Sequence, residues 1–167
     1  AGCCAERTFD QLDHFARRQP VLFLDPGRAA EGGLNGAGAA GLLGEALAFA
    51  EAGLAEGRPV AIATSARPEA VTRLQRHLGR RRAARLAEGI LARIAAGLHA
   101  KGIRRFVVSG GETSGAVLEA LKVEALEVDS YVTAGQSHSA TVGADPISFY
   151  LKSGKLGPVE MLEEVTA

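Results

Sequence analysis

Residues 103–121 read IRRFVVSGGETSGAVLEAL, and the interpretation of this stretch decides the fold. A run from Ile103 to Val108 ends in Phe-Val-Val, then stops at Gly110 and Gly111. Thr113 and Ser114 open an apolar helical pattern that continues to Leu121. A short buried strand, a glycine corner and an immediate helix make one βα unit of a parallel sheet. Bare glycine backbone lets N–H groups approach a phosphate, and free N–H groups with the helix dipole favour an anion at the helix start. The stretch fits neither GxxxxGK[ST] nor GxGxxG. On spacing alone, an anion-binding corner and an ordinary tight turn capped by Thr113 are equally good readings.

Outward from this unit the alternation repeats. Thr8 to Arg18 carries Phe9, Leu12, Phe15 and Ala16 at helical spacing, with Thr8 a candidate N-cap. A strand is predicted over Val21–Leu24, ending at the turn signal Asp25-Pro26-Gly27, and a mobile Gly-rich loop over Glu31–Gly38. A long Ala/Leu-rich helix follows over Ala39–Glu56, a strand over Val60–Ser65, and a helix over Pro68–Leu78 with proline in its first turn. Ala83–Ala100 places Leu86, Ile90, Ile94 and Leu98 on one stripe. Further strands are predicted over 125–128 and 147–151, and a closing helix over 158–165. The pattern implies one α/β domain over residues 1–167, three-layered and Rossmann-like. Its sheet is expected to be mostly parallel with helices on both faces, and β-rich between Ala125 and Leu151.

Composition narrows the function classes. The chain has 167 residues, 47% of them hydrophobic, with 19 Lys+Arg against 19 Asp+Glu, so no global charge favours nucleic acid or an anionic membrane. No run is read as approaching the roughly 20 apolar residues of a spanning helix. The two cysteines, Cys3 and Cys4, are neighbours and cannot form a disulfide framework; they read best as small packing residues. Few thiols and no signal peptide suggest the cytoplasm. The chain opens at Ala1-Gly2-Cys3-Cys4 with no apolar strand before the glycine, which reads as a piece cut from a longer protein.

In an open α/β sheet ligands bind beyond the carboxyl ends of the strands. Four stretches are expected there: Gly2-Cys3-Cys4, Thr64-Ser65, Ser109 to Ser114, and Lys152-Ser153-Gly154-Lys155-Leu156-Gly157. Lys152 is a candidate to neutralise a phosphate and Gly154 to admit a nucleotide, although a glycine turn beside a solvated lysine is the better reading of that stretch alone. Glu112 suits a metal–nucleotide complex or the helix dipole equally. His138, in Gln136-Ser137-His138-Ser139, is read as an exposed loop residue, because no second His or Cys stands at ligand spacing. The basic stretch Arg76 to Arg85 lacks aromatics and reads as a solvated corner between helices. The Ala-rich helices starting at Ala39 and Ala83 suit a homo-oligomer interface.

GGETSGAVLEAL (110–121) followed by LKSGKLG (151–157) resembles the C-terminal nucleotide-binding domain of the four-carbon acid sugar kinases. GCCAERTFDQ (2–11) is similar to that family's Gly-Ser-Cys-Ser-x-x-Thr-x-x-Gln segment, with Gly2, Cys4, Thr8 and Gln11 matching. The resemblance implies an ATP-dependent kinase acting on erythronate-, threonate- or 3-oxo-tetronate-type acids. Gly110, Gly111, Glu112, Thr113, Ser114, Lys152, Ser153 and Gly154 would contact ATP, with Gly2 and Cys3 adding contacts. Mg²⁺ would assist, and a separate N-terminal domain would bind the sugar acid and supply the base. The chain departs from the pattern at Cys3 and Ala5, where the family has serines, and at Lys155-Leu156, where it has Asn-Phe. Those departures keep open a non-catalytic nucleotide- or phosphometabolite-binding module, and an effector-type interaction domain stands behind it.

Overall fold

The structure is a computed structural model that describes residues 1–2, 5–64, 68–133 and 135–167, and every statement of absence or number below concerns these residues. Cys3, Cys4 and Ser65, singled out above, lie outside them.

The chain folds as a mixed α/β structure. Helix α1 is Glu6–Phe15, α2 Ala37–Ala55, α3 Pro68–Leu78, α4 Arg80–Ala100, α5 Gly111–Ala120 and α6 Met161–Glu164. Strands β1 to β6 are Val21–Phe23, Ala61–Ala63, Arg105–Ser109, Leu126–Thr133, Gln136–Thr141 and Ser148–Lys152. Thr8 is no N-cap: α1 starts earlier, and Thr8, Gln11, Leu12 and Phe15 form its buried face. The Glu31–Gly38 stretch is not a loose loop either. A 3₁₀ turn, Gly33–Asn35, and the start of α2 at Ala37 order it, and Leu34 packs on the core and against Gly89. Glycine is required at Gly38, where a Cβ would stand 1.9 Å from the Arg28 carbonyl oxygen. Gly79, at φ 80°, turns α3 into α4, and Arg80, Arg81, Arg82 and Arg85 are exposed, as a solvated corner demands.

The expectation of a mostly parallel sheet needs correction. Strands β1 and β2 form a parallel pair of their own, and the second sheet runs β3-β6-β5-β4. Within it β3 and β6 are parallel, but β6 with β5 and β5 with β4 are antiparallel. The cause is a hairpin: Thr133 pairs with Gln136, and Gly135, just before Gln136, has φ 70°. Its second arm, Gln136–Thr141, begins with the stretch Gln136-Ser137-His138-Ser139 that the sequence presents as a polar loop. Pairing on both edges makes it a central strand despite its weak strand composition. His138 is therefore half-buried, edge-on to the Tyr150 ring at 4.6 Å between centroids.

The core has two parts. Leu24, Leu42, Leu86, Ile90 and Ile94 pack beside the β1–β2 pair, and Val108, Val117, Ile147 and Phe149 beside the larger sheet. Helix α4 joins them, since neighbouring Ile94 and Ala95 fall in different parts. Helix α2 is, at 19 residues and mean hydropathy 1.2, long and apolar enough to cross a membrane by length and composition alone, contrary to the sequence reading. Its Leu42, Ala46 and Ala50 stripe is fully buried within the fold.

Candidate functional site

Four chain segments meet at one rim. Parallel strands end on the same side, so β3 and β6, in register from Arg105 with Ser148 to Ser109 with Lys152, deliver their following corners together. The Gly110 N–H donates to the Lys152 carbonyl at 3.0 Å, joining the two corners directly. Gly2 arrives from the other side, its N–H donating to the Ser109 carbonyl at 3.3 Å. The Thr64 N–H at the end of β2 donates to the Ala1 carbonyl at 3.0 Å. These bonds bring Gly2, Thr64, Ser109, Gly110 and Lys152, one or more from each of the four expected stretches, to one rim.

Gly110, at φ 112° and ψ 129°, is the N-cap of α5, in a conformation that disfavours any side chain. The helix begins at Gly111, so Thr113 does not cap it. No side chain caps the helix at all, which leaves its first-turn N–H groups available to an anion. Gly111 and Glu112 are exposed, and a Cβ on Gly111 would meet nothing within 4 Å. Thr113 is turned inward, 3% exposed, and a Cβ on Gly2 would strike its Oγ1 at 2.2 Å. Gly2 thus lets the amino-terminal segment press on α5. The Ser114 hydroxyl donates to the Gly110 carbonyl at 2.8 Å and rigidifies the corner from within.

Lys152 takes an unexpected course. It is 2% exposed and its Nζ donates to the Ser109 hydroxyl at 3.0 Å, so its charge lies beneath the rim instead of projecting from it. Ser153 is half-buried, its N–H donating to the Gly135 carbonyl at 2.8 Å. Gly154 is buried, and its carbonyl accepts the Thr8 hydroxyl at 2.8 Å. Gln11 Nε2 donates to the Leu156 carbonyl at 3.2 Å and the Pro158 carbonyl at 2.8 Å. Tyr150 donates its hydroxyl to Gln136 Oε1 at 2.5 Å, and burial, then the nearby Glu164, raise its pKa. Thr8 and Gln11 had matched a motif without acquiring a role. Polar residues three apart on an otherwise apolar helix face were the signal that they reach inward.

Two tests bear on whether a nucleotide fits. Thr64 Oγ1, at the same rim, is buried and has no hydrogen-bond partner among the described residues, an unmet group that a ligand oxygen can satisfy. The acidic complement is thin: no group of three or more His, Cys, Asp or Glu is placed to hold a metal ion among the described residues. Glu88 of α4 lies near Glu112, and its pKa is raised by burial and then by that neighbour, with Arg85 offsetting in part. The residues thus fit an anion held by amides better than a metal held by carboxylates.

A sheet rim with an uncapped helix start and glycine corners is the arrangement of a nucleotide-binding domain. The chain belongs to the family described as nucleotide-binding C-terminal domain, whose profile it matches over residues 1–162. It is similar to the 3-oxo-tetronate kinase of Methylobacterium radiotolerans, 45% identical over 158 residues, covering 94% of this chain and 35% of that protein. The 3-oxo-tetronate kinase of Burkholderia multivorans is 38% identical over 164 residues, covering 98% of this chain and 36% of that protein. A crystal structure of a Salmonella typhimurium LT2 protein superposes with a TM-score of 0.82 at 26% identity, covering 98% of this chain and 38% of that one. The chain therefore spans about a third of the length of the relatives it matches.

Proposed function

We propose that this chain is the ATP-binding part of a two-part sugar-acid kinase, occupying residues 1–167 as one domain. The observation that carries the reading is the direct bond from the Gly110 N–H to the Lys152 carbonyl, which sets two glycine corners side by side at an uncapped helix start. ATP, when bound, supplies the phosphoryl group, and Mg²⁺ offsets its charge. The amides of Gly111 to Thr113 would hold phosphate oxygens, with Gly2, Cys3, Ser114, Ser153 and Gly154 shaping the walls. Lys152 would act through its field from below, being bonded to Ser109. Glu112, exposed in the first turn of α5, would offer a carboxylate to Mg²⁺, whose remaining ligands would be phosphate and water.

The sugar acid and the base that activates its hydroxyl would come from the portion that the relatives possess beyond this match. Phosphoryl transfer depends mostly on positioning and charge stabilisation, so dividing nucleotide and acceptor between two bodies is chemically sound. The kinase-named relatives support a four-carbon acid, such as a 3-oxo-tetronate, as acceptor.

Calorimetry on the chain tests the nucleotide half: ADP and Mg²⁺-ATP should bind, while erythronate, threonate and 3-oxo-tetronate acquire no phosphate from the isolated chain. No ADP binding at about 1 mM, some 4 kcal/mol of affinity, would sink the reading. ADP binding with an inactive full-length protein would instead support the non-catalytic module that Cys3, Ala5, Lys155 and Leu156 leave open.

A further inference from the structure

We infer that the cleft between β2 and β3 is the seat of one more parallel strand, an extended apolar segment of the same polypeptide that leads directly into Ala1. This inference is independent of nucleotide binding. It starts from the direction of backbone groups. On β2, the Ala61 N–H donates to the Pro20 carbonyl at 3.0 Å and the Ala63 carbonyl accepts from the Leu24 N–H at 2.8 Å. Those residues face β1, so Ile62 faces the cleft. On β3, the Arg104 carbonyl and the Gly110 N–H bond to the β6 side, so Arg105, Val107 and Ser109 face the cleft.

Ala1 and Gly2 occupy the end of this gap and alternate between its edges. The Ala1 nitrogen donates to the Ile62 carbonyl at 2.6 Å and its carbonyl accepts from Thr64, whereas the Gly2 N–H turns to the Ser109 carbonyl. That alternation belongs to a strand in the middle of a parallel sheet. It requires the two edges to stand two strand spacings apart, about 9.5 Å. Beyond Ala1 the ladder stops, although the edges continue. The carbonyls of Val60 and Val107 and the N–H groups of Ile62 and Ser109 repeat the same spacing, set for the next two residues upstream.

The space itself agrees. A cleft of about 630 Å³ runs between the edges, with walls that include Val60, Ile62, Leu91, Ile94, Leu98 and Val107. Apolar walls call for β-branched or aliphatic side chains, as in the buried strands of parallel sheets. The occupant is assigned to the same polypeptide because the residues already in the slot, Ala1 and Gly2, are its continuation. The relatives also carry about two thirds of their length outside the match. Once filled, the order becomes β1, β2, the new strand, β3, β6, β5, β4, with four parallel pairings against two antiparallel ones. The mostly parallel sheet that the βα alternation predicts is restored, and the new strand clamps Gly2 against Thr113 at the rim.

The test compares three chains: this one, one extended before Ala1 by Val-Val-Ile-Val, and one extended by Gly-Ser-Gly-Ser. The apolar extension should raise Tm by about 5 °C or more and slow amide exchange at Ile62 and Ser109 at least about tenfold, with the protein monomeric by sedimentation. The Gly-Ser extension should do neither. Equal behaviour of the two extended chains overturns the proposal. So does stabilisation accompanied by dimerisation, which would make the occupant a second copy's strand. Amide exchange on the full-length protein supplies an independent second arm. Protected Ile62 and Ser109 support the strand, and exchange as fast as in the chain without an extension refutes it.

Discussion

Gly111 heads a helix with empty space where its Cβ would go, whereas Gly157, on the neighbouring corner, is walled in by Gln11, Gln136 and Met161, each 3.2 Å from its would-be Cβ. Both glycines follow a strand of the same parallel pair, yet their surroundings are opposite. The 110–114 corner exposes backbone and is held by its own Ser114–Gly110 bonds, by the Gly110 N–H on the Lys152 carbonyl and by the packing of Gly2. The 153–158 corner is strapped from below by Thr8 and Gln11, whose side chains bond the carbonyls of Gly154, Leu156 and Pro158. One corner leaves its first-turn amides without a side-chain cap. The other spends its carbonyls on the fold, and so sets the wall against which the first can work.

The largest effect should come from breaking the strap. Gln11 is 1% exposed and serves two carbonyls, so Gln11→Leu preserves bulk while removing the donor to Leu156 and leaving Pro158 only the longer bond from the Met161 N–H at 3.4 Å. A loss of about 2–4 kcal/mol is expected from such unsatisfied groups. It would appear as a fall in Tm of about 5–15 °C for a domain of this size, measured by calorimetry. Unchanged stability would mean that the two corners do not differ as argued.

Gly111→Ala sharpens the contrast from the other side. A Cβ there meets nothing, and alanine is the better helix former, so Tm should hold or rise by about 1–3 °C. The methyl group would nevertheless stand where an anion approaches the first-turn amides. One charge-assisted hydrogen bond lost is about 1.5–3 kcal/mol, hence ADP affinity at least about tenfold weaker by titration calorimetry. A variant that binds ADP as well as the parent would show that α5 does not present its amides to the phosphates.

Much of this contrast was readable beforehand, and its unreadable parts have physical causes. The strand–glycine–helix order around Gly110 was plain because strand and helix periodicities change abruptly there. Thr8 and Gln11 matched the family segment, with Thr8 read as a candidate N-cap, but which carbonyls they serve depends on contacts more than 140 residues along the chain. The course of Lys152 was hidden for a related reason. A lysine at a strand end reads as solvated, and the Ser109 hydroxyl that its Nζ meets across the β3–β6 pair cannot be foreseen from the lysine's own neighbours in sequence. Strand β5 was missed because Gln136, Ser137, His138 and Ser139 carry no alternating apolar signal; pairing on both edges, not side-chain preference, makes them a strand.

The smallest expected effect lies in charge at the open corner. Glu88 and Glu112 place carboxylates near one another beside the amides that would meet a phosphate, and burial followed by this repulsion raises the Glu88 pKa above its ordinary 4.5. A carboxyl whose folded pKa is raised holds its proton longer in the folded state. Stability therefore falls as pH climbs from 4.5 through the raised value, and the full penalty persists above it. Glu88→Gln removes that penalty. Its Tm should exceed the parent's at neutral pH by about 1 °C, since solvent screens a half-buried pair, and the gain should vanish below pH 4.5, where both states are protonated. The same change should favour metal-free ADP more than its Mg²⁺ complex, because a removed negative charge helps the more anionic ligand most. If the variant instead weakens only the Mg²⁺ complex, Glu88 is helping to hold the metal, and the open corner is less bare than its backbone suggests.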